Sequence, residues 1–154
     1  MSIAETDPVT TAPLDVVELR HKRRDSALTQ LAAAAERIGA VHEPGVLVAA
    51  LQHSEQLGCS ALGRGFAVPH VRSVAVHRPL LLLGRSTRGI EWGAADGQPV
   101  HLVAAVLTPS AASARTHVDR VTAVAHAIRL QRTRLRLLEA GATAASALFR
   151  ELMA

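Results

Sequence analysis

The sequence predicts an α/β layer fold: a small mixed sheet of about five strands with helices covering both faces. Three observations lead there. Compact aliphatic runs at residues 78–84 and 100–107, bounded by Gly or Pro, have the length and composition of buried strands. Apolar residues recur at spacings of three and four in the stretches before and after these runs. The two kinds of segment alternate along the chain, which is the pattern of helices layered on a sheet.

Each element has its own signal. Residues 1–13 are polar and rich in Thr and Pro, the composition of a mobile tail, so a single domain is expected over 14–154. A β-branched pair marks a first strand at 15–19, and residues 20–24 are a basic turn. Asp25 or Ser26 can cap a helix running to about residue 38, with Leu28, Leu31, Ala32, Ala35 and Ile38 on one stripe and Gly39 as its stop. Pro44 suits the first turn of a second helix, whose apolar side is Val46, Leu47, Ala50, Leu51 and Leu57 and which ends at Gly58. Residues 58–70 carry three glycines and close on a short apolar run, 66–70, interrupted by Pro69. Asp96-Gly97 marks a turn between the two aliphatic strands. Val118, Val121, Ala125 and Ile128 define a later helix. Another covers about 131–140 with Gly141 as its stop, and Thr143 can cap a last one to residue 152.

Composition excludes several classes of function. The chain has 154 residues, enough to bury a core, and 49% of them are hydrophobic, too many for a disordered chain. Aromatic content is only 2%, made up of Phe66, Trp92 and Phe149, so the core is aliphatic and no base-stacking platform for single strands exists. The net charge is +4, and of the seventeen basic side chains only Lys22 is lysine, which points to compositional bias rather than to an acidic partner. Arg129, Arg132 and Arg136 recur at helical spacing, yet no nucleic-acid partner is expected. Cys59 stands alone, so there is neither a disulfide framework nor a CxxC metal site. No basic start precedes an apolar run, and no apolar stretch approaches the about 20 residues needed to span a bilayer, so a cytoplasmic, non-inserted protein is expected.

Eight histidines are many for this length. His21, His42, His53, His77 and His101 lie in loops, polar contexts or on strand surfaces and read as solvated or simply satisfied side chains. None is spaced as HExxH, and no metal site is expected. His70 differs. It follows Pro69, which restricts the local backbone, at the end of a short strand. Gly63 and Gly65 precede it and Arg72 follows. An imidazole flanked by glycine backbone and a guanidinium suits a phosphate group, because the ring nitrogen can attack phosphorus while N–H groups and Arg neutralise the oxygens. From spacing alone, a lone Pro-His at a strand end is more often a structural histidine.

Longer stretches narrow the reading. Residues 58–70, GCSALGRGFAVPH, resemble the active-site signature of fructose/mannitol-type enzyme IIA domains of the bacterial phosphoenolpyruvate-dependent phosphotransferase system, approximately G-S-T-G-I-G-x-G-I-A-I-P-H; the class includes the nitrogen-regulatory enzyme IIA. Residues 89–103, GIEWGAADGQPVHLV, are similar to the family's G-I-D-F-G-A-x-D-G-x-P-V-x-L-V. Leu107-Thr108-Pro109 followed by Thr116-His117-Val118 matches an L-x-P and a histidine that opens a helix.

The resemblance implies the enzyme IIA fold and a phosphocarrier. His70 would accept a phosphoryl group from a phosphohistidine on an HPr-type carrier protein, then pass it to a IIB component or hold it as a regulatory signal. His117 would lie beside His70 and help bind phosphate. Arg72, Ser60, Gly63, Gly65 and Arg64 are the supporting candidates, and no metal or organic cofactor is required. Leu62, Phe66 and Val71 are candidates for an apolar docking face. Family members usually carry Arg before a Glu about five positions ahead of the glycine motif, where this chain has Ser54-Glu55. His53 or Arg64 are candidates to compensate. The departure motivates a second reading, a regulatory module of the same fold that docks on a transporter or sensor kinase with little phosphoryl turnover.

Overall fold

The computed structural model describes residues 15–153, so the polar stretch 1–13 lies outside the described residues. In chain order the elements are β1 (Asp15–Glu18), α1 (Arg24–Arg37), α2 (Pro44–Leu57), β2 (Ala61–Gly63), β3 (Phe66–Ala67) and β4 (His70–Ser73). They continue with β5 (Leu80–Ile90), β6 (Val100–Pro109), α3 (Ala114–Ala127), α4 (Gln131–Glu139) and α5 (Ala142–Met153).

Six strands form one mixed sheet in the order β1-β5-β6-β3-β2, with β4 also on β6. β6 is the centre: β5 runs antiparallel on one side, and β3 and β4 run parallel on successive halves of the other. A strand paired on both edges and covered on both faces reads as an unbroken apolar run, as residues 100–107 do. Alternation along β5 and β6 then sorts the side chains between two cores. Leu80, Leu82, Val103, Ala105 and Leu107 pack with α1 and α2 on one face. Leu81, Leu83, Leu102, Ala104 and Val106 pack with Val124, Ile128, Leu137 and Phe149 on the other. Each buried leucine contributes about 2 kcal/mol relative to exposure, so aliphatic burial sustains the fold despite the shortage of rings. No helix of the described residues is long and apolar enough to cross a membrane.

The expected α/β sheet covered on both faces is present, with local corrections. Residues 61–73 form three short strands where the sequence predicts one apolar run, which brings the count to six. Pro69 is the reason. It has no N–H for the ladder, so β3 ends before it and β4 begins after it, while the Pro69 carbonyl accepts from the Val106 N–H at 2.9 Å. His70 therefore opens β4, opposite Val106, instead of closing a strand. The first helix has Arg23 at its N-cap with no side-chain cap bond, and Asp25 lies inside the first turn, where a carboxylate faces the positive helix end. The last helix already includes Thr143 in its first turn.

Gly89 illustrates a position where glycine is obligatory. Its φ is +89°, and a Cβ there would lie 2.8 Å from Pro99 Cβ and 3.1 Å from the His101 ring. Gly89→Ala is expected to destabilise the protein by about 2 kcal/mol, through both left-handed strain and overpacking. A urea midpoint unchanged by the substitution would contradict this.

Candidate active site

The fold brings together two histidines that are 47 positions apart. His70 opens β4 on one side of β6. His117 sits at the second turn of α3, reached from the end of β6 through a short loop. Ser113 caps α3 by accepting the Thr116 N–H at 3.1 Å, which sets the start of the helix and with it the inward direction of His117. His70 Nδ1 lies 3.3 Å from His117 Nε2, with the ring centroids 5.4 Å apart. On its other nitrogen, His117 Nδ1 is 2.7 Å from the hydroxyl of Thr108, a fully buried residue of β6. Thr108, His117 and His70 thus form one hydrogen-bonded chain.

Burial and nearby cations set the charge of this chain. His117 is pushed down to about 4, first by desolvation and then by His70, Arg72 and Arg120. It is therefore neutral at pH 7 and keeps one ring nitrogen as an acceptor. His70 is also lowered by desolvation, partly offset by the Glu55 carboxylate. Glu55 is buried and held by the Ser60 N–H at 3.0 Å, the Ser60 hydroxyl and the Trp92 indole N–H at 3.2 Å.

A pH dependence follows. Between pH 6.5 and about 4 the unfolded chain takes a proton at His117 that the native state does not. The associated stability, up to about 3 kcal/mol, is fully present above that window and is lost as pH falls through it. Urea unfolding of wild type and His117→Gln at about pH 7 and about pH 5 checks this: the wild type is expected to lose more stability on acidification, and equal losses would refute it.

The remaining expected residues divide between two places. Arg72 donates from Nη1 to the Ala112 carbonyl at 2.8 Å, tying β4 to the loop before α3 and placing its charge near His117. The Ser60 hydroxyl is engaged by Glu55 and Trp92, so it orders the carboxylate beneath the site. Gly63, Arg64 and Gly65 form the β2–β3 turn, with φ of +85°, +58° and +86°. Asp96 holds this turn by accepting the N–H of Arg64 at 2.7 Å and of Gln98 at 3.1 Å, bonds that lower its carboxyl below the usual range. The Arg64 side chain lines a separate groove with Arg134, whereas the cleft beside His70, about 490 Å³, is lined by Ser60, Leu62, Val68, Val121, Ala125 and Arg129. His53 is exposed on α2. Ser54 donates its hydroxyl to the His70 carbonyl at 3.2 Å, so the position that departs from the motif does adjoin the site.

Four residues escape a linear reading. Thr108 lay within a recognised motif but without a role. Arg120 sits three residues after His117, a spacing that puts both on one helix face and could have flagged it. Trp92 and Glu55 meet only in three dimensions. Of the apolar docking candidates, Leu62 is 54% exposed, while Phe66 is core beneath the Arg134 guanidinium and Val71 packs against the α1/α2 core. Arg129 lies between α3 and α4, off the helix that carries Arg132 and Arg136. No group of three or more His, Cys, Asp or Glu among the described residues could hold a metal.

The sequence model of the family described as "Phosphoenolpyruvate-dependent sugar phosphotransferase system, EIIA 2" matches residues 13–149, nearly the whole chain. The chain belongs to this EIIA family. A nitrogen regulatory protein of Bradyrhizobium diazoefficiens is 36% identical to this EIIA member over 114 residues, 74% of this chain and 71% of that one. The fructose-specific EIIABC component of Bacillus subtilis is 24% identical over 80% of this chain, which spans 19% of that longer protein. Among solved structures, the nitrogen regulatory protein IIA-Ntr of Neisseria meningitidis superposes with a TM-score of 0.78 at 20% identity, covering 92% of this chain and 93% of that one. A complex of enzyme IIA mannitol with phosphorylated enzyme IIB mannitol from Escherichia coli contains a chain of the same fold, with a TM-score of 0.71 at 19% identity, covering 90% and 93%. The EIIA fold inferred from the two long motifs is thus the fold this chain has.

Proposed function

We propose that this EIIA domain is a histidine phosphocarrier. His70 accepts a phosphoryl group from the phosphohistidine of an HPr-type carrier and passes it to a IIB component, or holds it as a regulatory signal. The observation that carries this reading is the Thr108–His117–His70 chain. If His117 Nδ1–H donates to Thr108, the neutral His117 presents Nε2 as an acceptor for His70 Nδ1–H. His70 Nε2 then holds the lone pair. That pair forms the new N–P bond as the carrier's P–N bond breaks and its electrons return to the carrier imidazole.

The product ring is a phosphoimidazolium. Its Nδ1–H points at His117, and the Glu55 carboxylate offsets its charge. The guanidiniums of Arg72 and Arg120, whose fields already act on His117, favour the phosphoryl oxygens. Transfer between two imidazoles is nearly balanced, so positioning and charge screening suffice, and the return step to IIB uses the same geometry. Exposed Leu62 and Val118, at 54% and 56%, supply apolar area for a docking partner.

Incubation with phosphoenolpyruvate, enzyme I and an HPr-type carrier is expected to produce acid-labile phosphate on the wild type and none on His70→Ala. Label that persists in His70→Ala would overturn the proposal. The second reading, a docking module with little turnover, draws on Ser54: its hydroxyl bonds the His70 carbonyl where a guanidinium would bring charge. Absent labelling, together with equal affinity of wild type and His70→Ala for a regulatory partner, would favour that reading.

A further inference from the structure

A second groove, about 450 Å³, lies between the β2–β3 turn, the start of β6 and α4. It is separate from the phosphoryl site. Phe66 pairs with Leu102 at the groove while His70 pairs with Val106, so the two places are about 13 Å apart along β6. Its walls are apolar, formed by Pro99, Leu102, Leu135 and Leu138. Its charged members are Arg64 and Arg134.

Arg134 is an unusual lining residue. It is 6% exposed, and its guanidinium stacks 4.7 Å from the centroid of the Phe66 ring. Its Nη1 donates to the carbonyls of Ile128 and Arg129 at 3.0 and 2.6 Å, which ties the group to the α3–α4 turn at the groove wall. Among the described residues, no carboxylate forms an ion pair with Arg134 or Arg64. The nearby Asp96 is occupied by two backbone N–H groups. The charge of Arg64 acts on Arg134 and, together with burial, makes its charged form less favourable. A buried cation facing a second cation without a counter-ion is costly unless an anion completes the site. Arg134 is held by its two carbonyl hydrogen bonds, and the backbone that carries the exposed Arg64 is a tight glycine-flanked turn, which fixes where its side chain starts.

We propose that this groove binds a small organic phosphate, a phosphomonoester with an apolar body. The two guanidiniums match a dianionic head, and the leucine and proline walls take the apolar part. This assignment does not depend on phosphoryl transfer at His70.

Phenyl phosphate is a suitable probe, followed by backbone amide NMR shifts in the full chain. Shifts are expected at Arg64, Gly65, Leu135 and Leu138, with weaker binding of inorganic phosphate, which lacks the apolar body, and none of phenol, which lacks the charge. Arg64→Ala, at an exposed position, is expected to weaken phenyl phosphate roughly tenfold. Leu135→Asp, which adds a like charge at the rim, is expected to abolish binding, while His70→Ala leaves it unchanged. Arg134 also clamps the α3–α4 turn, so these variants avoid it. No binding, shifts confined to His70 and His117, equal binding of phenol, or undiminished affinity in Arg64→Ala would each overturn the proposal.

Discussion

Replacing His117 by alanine is expected to slow phosphorylation of His70 by roughly a hundredfold while leaving the protein folded. His117 is within hydrogen-bond distance of His70 Nδ1, and through Thr108 it is anchored to the central strand. Its removal frees the His70 ring to rotate and to exchange tautomers, so less of the population presents the Nε2 lone pair. It also leaves the proton of the phosphoimidazolium without a buried acceptor. His117→Gln, whose side-chain carbonyl can accept the same hydrogen bond, is expected to recover part of the rate. Rapid-quench measurements with a phosphorylated HPr-type carrier provide the test. Rates of His117→Ala within twofold of wild type would remove the positioning role assigned to this residue.

Trp92→Ala is expected to be the most destabilising single substitution near the site, by about 4 kcal/mol. The side chain is 2% exposed in the α1/α2 core, and its indole N–H donates to Glu55 and Ser60 at 3.2 Å each. Truncation leaves a large cavity and removes one of the donors that make a buried carboxylate tolerable. For a chain of this size the melting temperature should fall by roughly 10–15 °C. Trp92→Phe separates the two causes, since it keeps most of the volume and loses only the donor. Its expected cost is about 2 kcal/mol. A melting temperature of Trp92→Ala within a few degrees of wild type would show that neither cause operates.

These effects concern residues of unequal visibility in the sequence. The strands at 80–90 and 100–109 announce themselves because burial on both faces demands continuous aliphatic runs. The helices are visible through their spacing, and their ends through Pro44, Gly39 and Gly58. The breaks around Pro69 were less legible: two- and four-residue strands carry too little periodicity to be resolved, and only their pairing with β6 defines them. His70 stood out because a long motif ends on it, and His117 because a short L-x-P precedes a histidine that opens a helix. Arg64 stood in the same motif and reads like a site residue, yet the turn it occupies directs it toward Arg134, because positive φ at three successive positions reverses the chain there.

The sequence by itself determined the layer architecture and the aliphatic core and singled out two candidate histidines, since hydrophobic period and contiguous motif are local properties of a chain. The tertiary structure decided which groups meet. Thr108 behind His117, Glu55 under Trp92, Arg120 beside the site and Arg64 opposite Arg134 all come from elements separated in sequence or from the face a turn presents. Their protonation and charge depend on burial and on neighbours within a few ångströms, and linear spacing carries neither quantity.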